Sequence, residues 1–126
     1  MKTWDLIVIG AGPAGSTCAS FCASSGKRVL LLEAARFPRD KVCGDCLNPA
    51  VWPVIERLGL ASRIEALPSS SPKTIRFSVA EHGQIDLPLP HRNISRSERV
   101  VRRRDLDALL VEHAIESGVR FQDGSP

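Results

Sequence analysis

Three glycines near the start of the chain have the spacing of a phosphate-binding turn. Gly10, Gly12 and Gly15 form a G-x-G-x-x-G pattern directly after the apolar run 6–9. In such a turn the first glycine allows a tight bend, the second lets backbone approach a pyrophosphate, and the third lets a helix pack closely on a strand. The N-terminus of the following helix then favours an anion. The pattern predicts a dinucleotide site, although a purely structural turn could share this spacing.

An acidic residue follows at the distance expected for ribose recognition. Glu33 ends the segment 28–33, in which residues 29–32 are all apolar. A carboxylate about 20 residues beyond such glycines typically binds the ribose hydroxyls of a dinucleotide. Its negative charge would repel a 2′-phosphate, so NADP is not expected at this site.

The four cysteines raise two alternative chemistries. Cys18 and Cys22 are four residues apart on the first predicted helix, and Cys43 and Cys46 form a C-x-x-C pair. A four-cysteine zinc site and a thioredoxin-like redox pair are both conceivable. The first pair lies among small residues that would pack a helix on a sheet, so we expect buried structural thiols there. We predict no metal site.

A basic cluster begins the last predicted helix. Arg102, Arg103 and Arg104 place positive charge at the end of the helix that disfavours it, and only Asp105 and Asp107 complement the helix dipole there. One of these arginines could serve a phosphate or ribose, or all three could be solvated. The residues alone do not decide between the two interpretations.

The predicted elements give an α/β fold with a parallel sheet. The unbroken apolar run 6–9 predicts a fully buried parallel strand. This strand, a helix over about Pro13–Ser25 and a strand over 28–33 form a right-handed βαβ unit. The loop 34–48 is long and rich in Arg, Pro, Cys and Gly. Long loops without regular structure are usually functional or disordered, and this composition favours a functional loop. We assign 1–65 and 99–126 to dinucleotide binding and 66–98 to a hairpin inserted towards a substrate domain. Apolar residues alternate with polar ones in the hairpin strands 74–79 and 85–89, which predicts an antiparallel pair with one solvated face. The other predicted elements are helices 49–58 and 105–117, a linker over 67–72, and strands 99–102 and 119–121.

Composition excludes several classes of function. The formal net charge is +3, 43% of the residues are hydrophobic and 25% are charged, which is ordinary for a globular chain and too weakly basic to indicate nucleic acid. No apolar run reaches the roughly 18 residues of a transmembrane helix, and Asp5 argues against a signal peptide. We expect a cytoplasmic chain with reduced cysteines. Peripheral membrane contact and the oligomeric state stay open.

Motifs along most of the chain resemble a family of flavoproteins. The glycine pattern from Asp5 to Gly15, with Glu33, resembles the FAD site of the p-hydroxybenzoate hydroxylase-like proteins. Residues 37–44 read F-P-R-D-K-V-C-G, which is similar to the F-P-R-x-K-x-C-G signature of the geranylgeranyl reductase branch. Residues 103–107 resemble that family's R-x-x-L/F-D helix, whose arginine contacts FAD.

The resemblance implies a Rossmann-like FAD-binding fold and a role for each matching residue. Cys43 would lie near the flavin and is the candidate catalytic residue. Cys46 replaces a glycine that is common in the family, so its side chain would alter the pocket or add a second thiol there. The predicted FAD-binding residues are Gly10, Gly12, Pro13, Ala14, Gly15, Glu33, Ala34, Arg39, Cys43, Gly44, Cys46 and Arg103.

The function implied is reduction of isoprenoid-type double bonds in a small apolar substrate by hydride transfer from reduced FAD. NAD(P)H or another external donor would reduce the flavin. The alternatives are an FAD-dependent monooxygenase or halogenase, although halogenases usually carry Gly-Glu-Ser where this chain has Gly44, Asp45 and Cys46. A third alternative is a non-catalytic remnant. Family members are considerably longer, so we expect the 126 residues to be part of a longer protein and inactive alone.

Overall fold

The computed structural model describes residues 3–42, 44–89 and 97–124. The strands are β1 (Leu6–Ile9), β2 (Val29–Leu32), β3 (Cys46–Leu47), β4 (Ser69–Ser70), β5 (Thr74–Val79), β6 (Gly83–Pro88), β7 (Arg99–Val101) and β8 (Arg120–Gln122). The helices are α1 (Pro13–Ser24), α2 (Trp52–Arg57), α3 (Ala61–Glu65) and α4 (Arg103–Glu116), with a 3-10 turn over Pro49–Val51. Among these residues, no helix is both long enough and apolar enough to cross a bilayer.

A parallel sheet in the order β1-β2-β8 forms the nucleotide-binding half of the molecule. Small buried residues of α1, Ser16 and Ala19 among them, let this helix lie close to β2 and α4. Val29 and Leu31 of β2 are fully buried in the cluster beneath. The predicted α/β fold with a parallel sheet is confirmed, and its boundaries agree with the predicted βαβ unit to within one residue.

β1 differs from the fully buried strand that its apolar run predicted. Leu6 and Val8 pack against the core, but Ile7 and Ile9 are 54% and 86% exposed. Residues of a strand alternate between its two faces, and no described element covers the second face of β1. A run of four apolar residues predicted burial on both sides, and that prediction is wrong within the described part of the chain.

A second core lies between α2, α3, α4 and an antiparallel sheet in the order β3-β7-β4. Trp52, Leu60 and Ile64 are almost completely buried there. The predicted helix 49–58 is a 3-10 turn followed by the short α2, and α3 was not predicted. β3 and β4 lie in segments predicted as loop and linker, because two-residue strands carry no periodic signal. β4, from the segment assigned to the insertion, pairs with β7, and the domain limits stay a prediction.

The antiparallel hairpin β5–β6 lies where the alternating pattern predicted it. Ile75 pairs with Leu87 and Phe77 with Ile85, so these four side chains share one face. That face is 43% to 59% exposed at these residues. The pattern predicted one solvated face, whereas both faces are exposed among the described residues.

Candidate functional site

The backbone of the glycine turn, residues 10–15, requires glycine at two positions. Gly10 has a φ of +98°, in the region that favours glycine, and its N–H donates to the carbonyl of Leu32 at 2.8 Å. A Cβ on Gly15 would collide with the carbonyl oxygen of Gly10. These contacts join the end of β1 to β2 and hold the start of α1 against the turn.

The N-terminus of α1 faces two arginine side chains. Gly12 is the N-cap of the helix, and no described side chain caps it. A Cβ placed on Gly12 would lie 3.8 Å from Nη2 of Arg39 and 3.8 Å from Nη2 of Arg103. The helix end and two guanidinium groups therefore converge on one point, an arrangement that suits a phosphate.

Glu33 is fixed at the end of β2 by backbone donors. Its carboxylate accepts hydrogen bonds from the N–H of Ala11 at 2.8 Å and of Ala35 at 3.1 Å. Arg39 Nη2 lies 3.7 Å from Oε2. Partial burial raises the pKa of Glu33, but these donors and the charge of Arg39 lower it by more, so the net pKa lies below its ordinary value. Glu33 is thus ionised at neutral pH.

Both arginines are held by one buried carboxylate. Asp107 is completely buried in α4. Its Oδ1 accepts from Nε of Arg103 at 2.8 Å, and its Oδ2 accepts from Nη2 of Arg103 at 2.9 Å and from Nη1 of Arg39 at 3.0 Å. The side chains of the two arginines are each 13% exposed. Both cations therefore keep a defined position beside the glycine turn.

These groups surround a cavity of about 630 Å³, called here the nucleotide cavity. Its volume is within the range of small-molecule sites. Eight of the predicted site residues line it: Gly10, Gly12, Pro13, Ala14, Gly15, Glu33, Arg39 and Arg103. A glycine-lined helix start, two cations and a carboxylate at a strand end fit the pyrophosphate and ribose of FAD. Residue roles towards the cofactor stay predictions.

The remaining predicted residues lie elsewhere. Ala34 is next to Glu33 in sequence but does not line the nucleotide cavity. A Cβ on Gly44 would lie 3.5 Å from Nη1 of Arg103, so the backbone there is close to the site. Cys46 is exposed and pairs with Val100 in the antiparallel sheet. Cys43 lies outside the described residues.

Sequence reasoning missed several residues of the site. The clearest case is the role of Asp107, which was predicted only as a complement to the helix dipole, although it stands four residues after Arg103, the spacing of an ion pair on a helix. Within the basic cluster, Arg103 contacts the site, while Arg102 pairs with Asp105 at 3.0 Å. Four residues that line the cavity were also not predicted: Ile9, Ala35, Asp40 and Lys41.

The first cysteine pair is less buried than predicted. Cys18 is exposed and Cys22 is half-buried, because this part of α1 faces outward beside the sheet-packing residues. Burial raises the pKa of the Cys22 thiol, and the neighbouring Cys18 raises it further, so Cys22 is a protonated thiol at neutral pH. No group of three or more metal-ligating side chains occurs in the described ranges.

A separate apolar cavity of about 450 Å³ opens beside the first turn of α1. Pro13 and Ala14 line both this cavity and the nucleotide cavity. The rest of its wall is largely aliphatic and includes Leu47, Val54 and Leu110. It offers a phosphate neither charge nor a turn of glycine backbone.

Comparison with known proteins finds relatives that match almost the whole chain. The chain is 32% identical to the menaquinone reductase of Mycolicibacterium smegmatis over 96% of this chain and 29% of that protein. It is 33% identical to the 1H-pyrrole-2-carbonyl-(peptidyl-carrier protein) brominase of Pseudoalteromonas luteoviolacea, over 98% and 29%. The structure of the myxobacterial chondrochloren halogenase CndH superposes with a TM-score of 0.81 and 32% identity, covering 98% of this chain and 29% of that one.

These relatives support the broader resemblance to FAD flavoproteins and do not support the narrower geranylgeranyl reductase branch. The chain spans about 29% of the length of the relatives named above. The family model described as "FAD binding domain" matches residues 3–125. The chain therefore belongs to the FAD binding domain family, and its cofactor is FAD.

Proposed function

We propose that the nucleotide cavity binds the ADP half of FAD for a flavin-dependent oxidoreductase. The observation that carries this proposal is the convergence of Arg39 and Arg103 on Gly12, where a Cβ would lie 3.8 Å from each guanidinium. The two cations and the start of α1 would hold the pyrophosphate, as charge-assisted hydrogen bonds to phosphate are strong and directional.

Glu33 would accept hydrogen bonds from the adenosine ribose hydroxyls. Its carboxylate is ionised and held by two backbone N–H groups, so it is oriented before a ligand arrives. An ionised carboxylate at this point disfavours a 2′-phosphate. The site should therefore prefer FAD and ADP to NADP.

Bound FAD would supply the electron-transfer chemistry. The chain's own contribution is to bind and orient the adenosine end, which fixes where the flavin end of the molecule lies. The electron donor that reduces the flavin, NAD(P)H or another reductant, would act through parts of the complete protein together with this domain.

For the reaction, we favour the halogenase or monooxygenase class over reduction of isoprenoid double bonds. The CndH halogenase and the pyrrole brominase are similar to this chain over almost its whole length. A reductase acting on an apolar substrate is the second candidate, because menaquinone reductases are as similar in sequence. Halogenases usually carry Gly-Glu-Ser where this chain has Gly44, Asp45 and Cys46. This difference also favours the reductase candidate.

Ligand titration tests the binding proposal. The purified chain is mixed with FAD, ADP, FMN or NADP, and heat or flavin fluorescence is recorded. We expect FAD and ADP to bind, FMN to fail because it lacks the ADP half, and NADP to bind more weakly than ADP. Equal binding of FMN and FAD would contradict the assignment of the cavity to the ADP half.

The reaction class is tested on the complete translation product of the gene. The protein is supplied with reduced FAD, oxygen and either bromide or chloride, and an electron-rich pyrrole or phenol is analysed for halogenation by mass spectrometry. Halogenated product supports the first candidate. Anaerobic oxidation of the reduced flavin by a quinone or a polyprenyl substrate, without any halogenation, would favour the second.

A further inference from the structure

Asp107 is a buried acidic residue that lies beside the nucleotide cavity without lining it. Its side chain is completely buried in α4, where an unpaired carboxylate would be strongly disfavoured. Arg103 binds it through two nitrogens and Arg39 through one, at 2.8 to 3.0 Å. The charge is therefore compensated, and each partner is fixed in return.

The two arginines reach Asp107 from distant parts of the chain. Arg39 comes from the loop after β2, 68 residues before Asp107, whereas Arg103 is one helical turn away. Each still presents an Nη2 atom to Gly12 at the same side of the glycine turn. Two guanidinium groups this close would repel each other if no anion lay between them. Asp107 removes that repulsion and sets both orientations.

We propose that Asp107 is a positioning residue that holds Arg39 and Arg103 in place for the cofactor's pyrophosphate. The inference rests on the proposed binding of FAD in the nucleotide cavity. Asp107 does not line the nucleotide cavity, so it would act on the ligand only through the two arginines. Asp107 lowers the entropic cost of ligand binding, because the two long, flexible arginine side chains are already ordered before the ligand binds.

Replacing Asp107 with asparagine separates positioning from simple electrostatics. Asp107→Asn keeps the shape of the side chain but removes a negative charge beside an anion site. Coulombic attraction alone predicts tighter binding of ADP to this variant. Loss of positioning predicts the opposite, a dissociation constant for ADP raised by about ten-fold, as two side chains must then be ordered on binding.

Asp105→Asn is the matched control. Asp105 lies on the same helix, carries the same charge and pairs with Arg102, without a contact to Arg39 or Arg103 among the described interactions. We expect its ADP affinity to stay within about two-fold of wild type, since an exposed pair contributes little. Adenosine, which has no phosphate, should bind wild type and the Asp107→Asn variant equally. Equal or tighter ADP binding by that variant, or an equal loss of adenosine binding, would overturn the proposal.

A measurement on the wild-type chain covers the case in which the Asp107→Asn variant does not fold. The Nε–H signal of Arg103 is followed by NMR during titration with ADP. Positioning predicts that this proton stays protected from solvent exchange in the bound state, because Asp107 still accepts it. Loss of protection on binding would overturn the proposal. A wild-type chain that binds neither ADP nor FAD would overturn the proposed function as well, whereas the outcomes above affect Asp107 alone.

Discussion

The nucleotide cavity and the hairpin β5–β6 differ in how their side chains are partnered. Around the cavity, Glu33 in its wall and Asp107, which holds the two arginines of the wall, each have several donors. No buried side-chain polar atom among the described residues lacks a partner. In the hairpin, the apolar face around Phe77 and Ile85 is half exposed, and an isolated pair of strands has little stability of its own. The polar site is thus specified by contacts within the described residues, while the apolar face of the hairpin is not.

The largest effect is expected at the glycine turn itself. Gly15→Ala would drive a Cβ into the carbonyl oxygen of Gly10, and backbone cannot move aside cheaply. We expect a loss of at least about 3 kcal/mol in the free energy of unfolding, measured by urea denaturation followed by circular dichroism.

Gly12→Ala is the matched control for that variant. Its Cβ would make only ordinary contacts at 3.8 Å, so the stability loss should be less than about 1 kcal/mol, as for other changes at a helix N-cap. FAD binding should nevertheless weaken strongly, because the methyl group occupies the path of the pyrophosphate. Equal stability losses in the two variants would remove the distinction between the folding glycine and the binding glycine.

A second comparison sets the sheet core against the hairpin. Leu31 is fully buried in β2, and Phe77 is 52% exposed in β5. Leu31→Ala should lower the free energy of unfolding by about 2–5 kcal/mol, the usual cost of a cavity in a core. Phe77→Thr should change it by less than about 0.5 kcal/mol. A large loss from Phe77→Thr would mean that the apolar face of the hairpin is covered in solution.

Glu33 makes the stability of the nucleotide half depend on pH. Its pKa in the folded chain lies below the ordinary value of 4.5, so its stabilising contribution is complete above about pH 4.5 and is lost as the pH falls through the lowered pKa. Between those values the unfolding free energy of wild type should fall more steeply with decreasing pH than that of Glu33→Gln. Parallel curves would indicate that the carboxylate is not held by Ala11 and Ala35.

The smallest effect concerns exposed ion pairs and reports whether the hairpin forms. Arg76 hydrogen-bonds Asp86 across the two strands and lowers its pKa. Arg76→Gln should return the pKa of Asp86 to about its ordinary 3.8, measured by NMR titration. Asp5, whose pKa Arg28 lowers to about 2, is the internal control and should not change. An Asp86 pKa near 3.8 already in wild type would show that the hairpin is open.

The sequence predicted the nucleotide half well because its signals are local. Its backbone requires particular residue types at particular positions. These are the spaced glycines of the turn, the proline at the first turn of α1 and the acidic residue that ends β2. Arg103 could be placed only through the family resemblance, since a cluster of three arginines does not say which one faces inward.

The errors arose where tertiary contacts decide the structure. The exposure of Ile9 and Cys18 depends on which elements pack against β1 and α1. The hydrophobic pattern of a segment does not show which elements will cover it. β3 and β4 exist because β7 pairs with both, and two residues are too few to show an alternating pattern. The contact between Asp107 and Arg39 could not be predicted, because the two residues lie 68 positions apart in the sequence.

Mapping where ADP binds tests the central claim most directly. Backbone and arginine side-chain NMR signals of the chain are followed as ADP is added. We predict that the largest shifts occur at Ala11, Ala14 and Gly15 and at the Nε groups of Arg39 and Arg103. Shifts confined to residues of the apolar cavity such as Val54 and Leu110, or no shifts at any ADP concentration, would contradict the assignment of the nucleotide cavity.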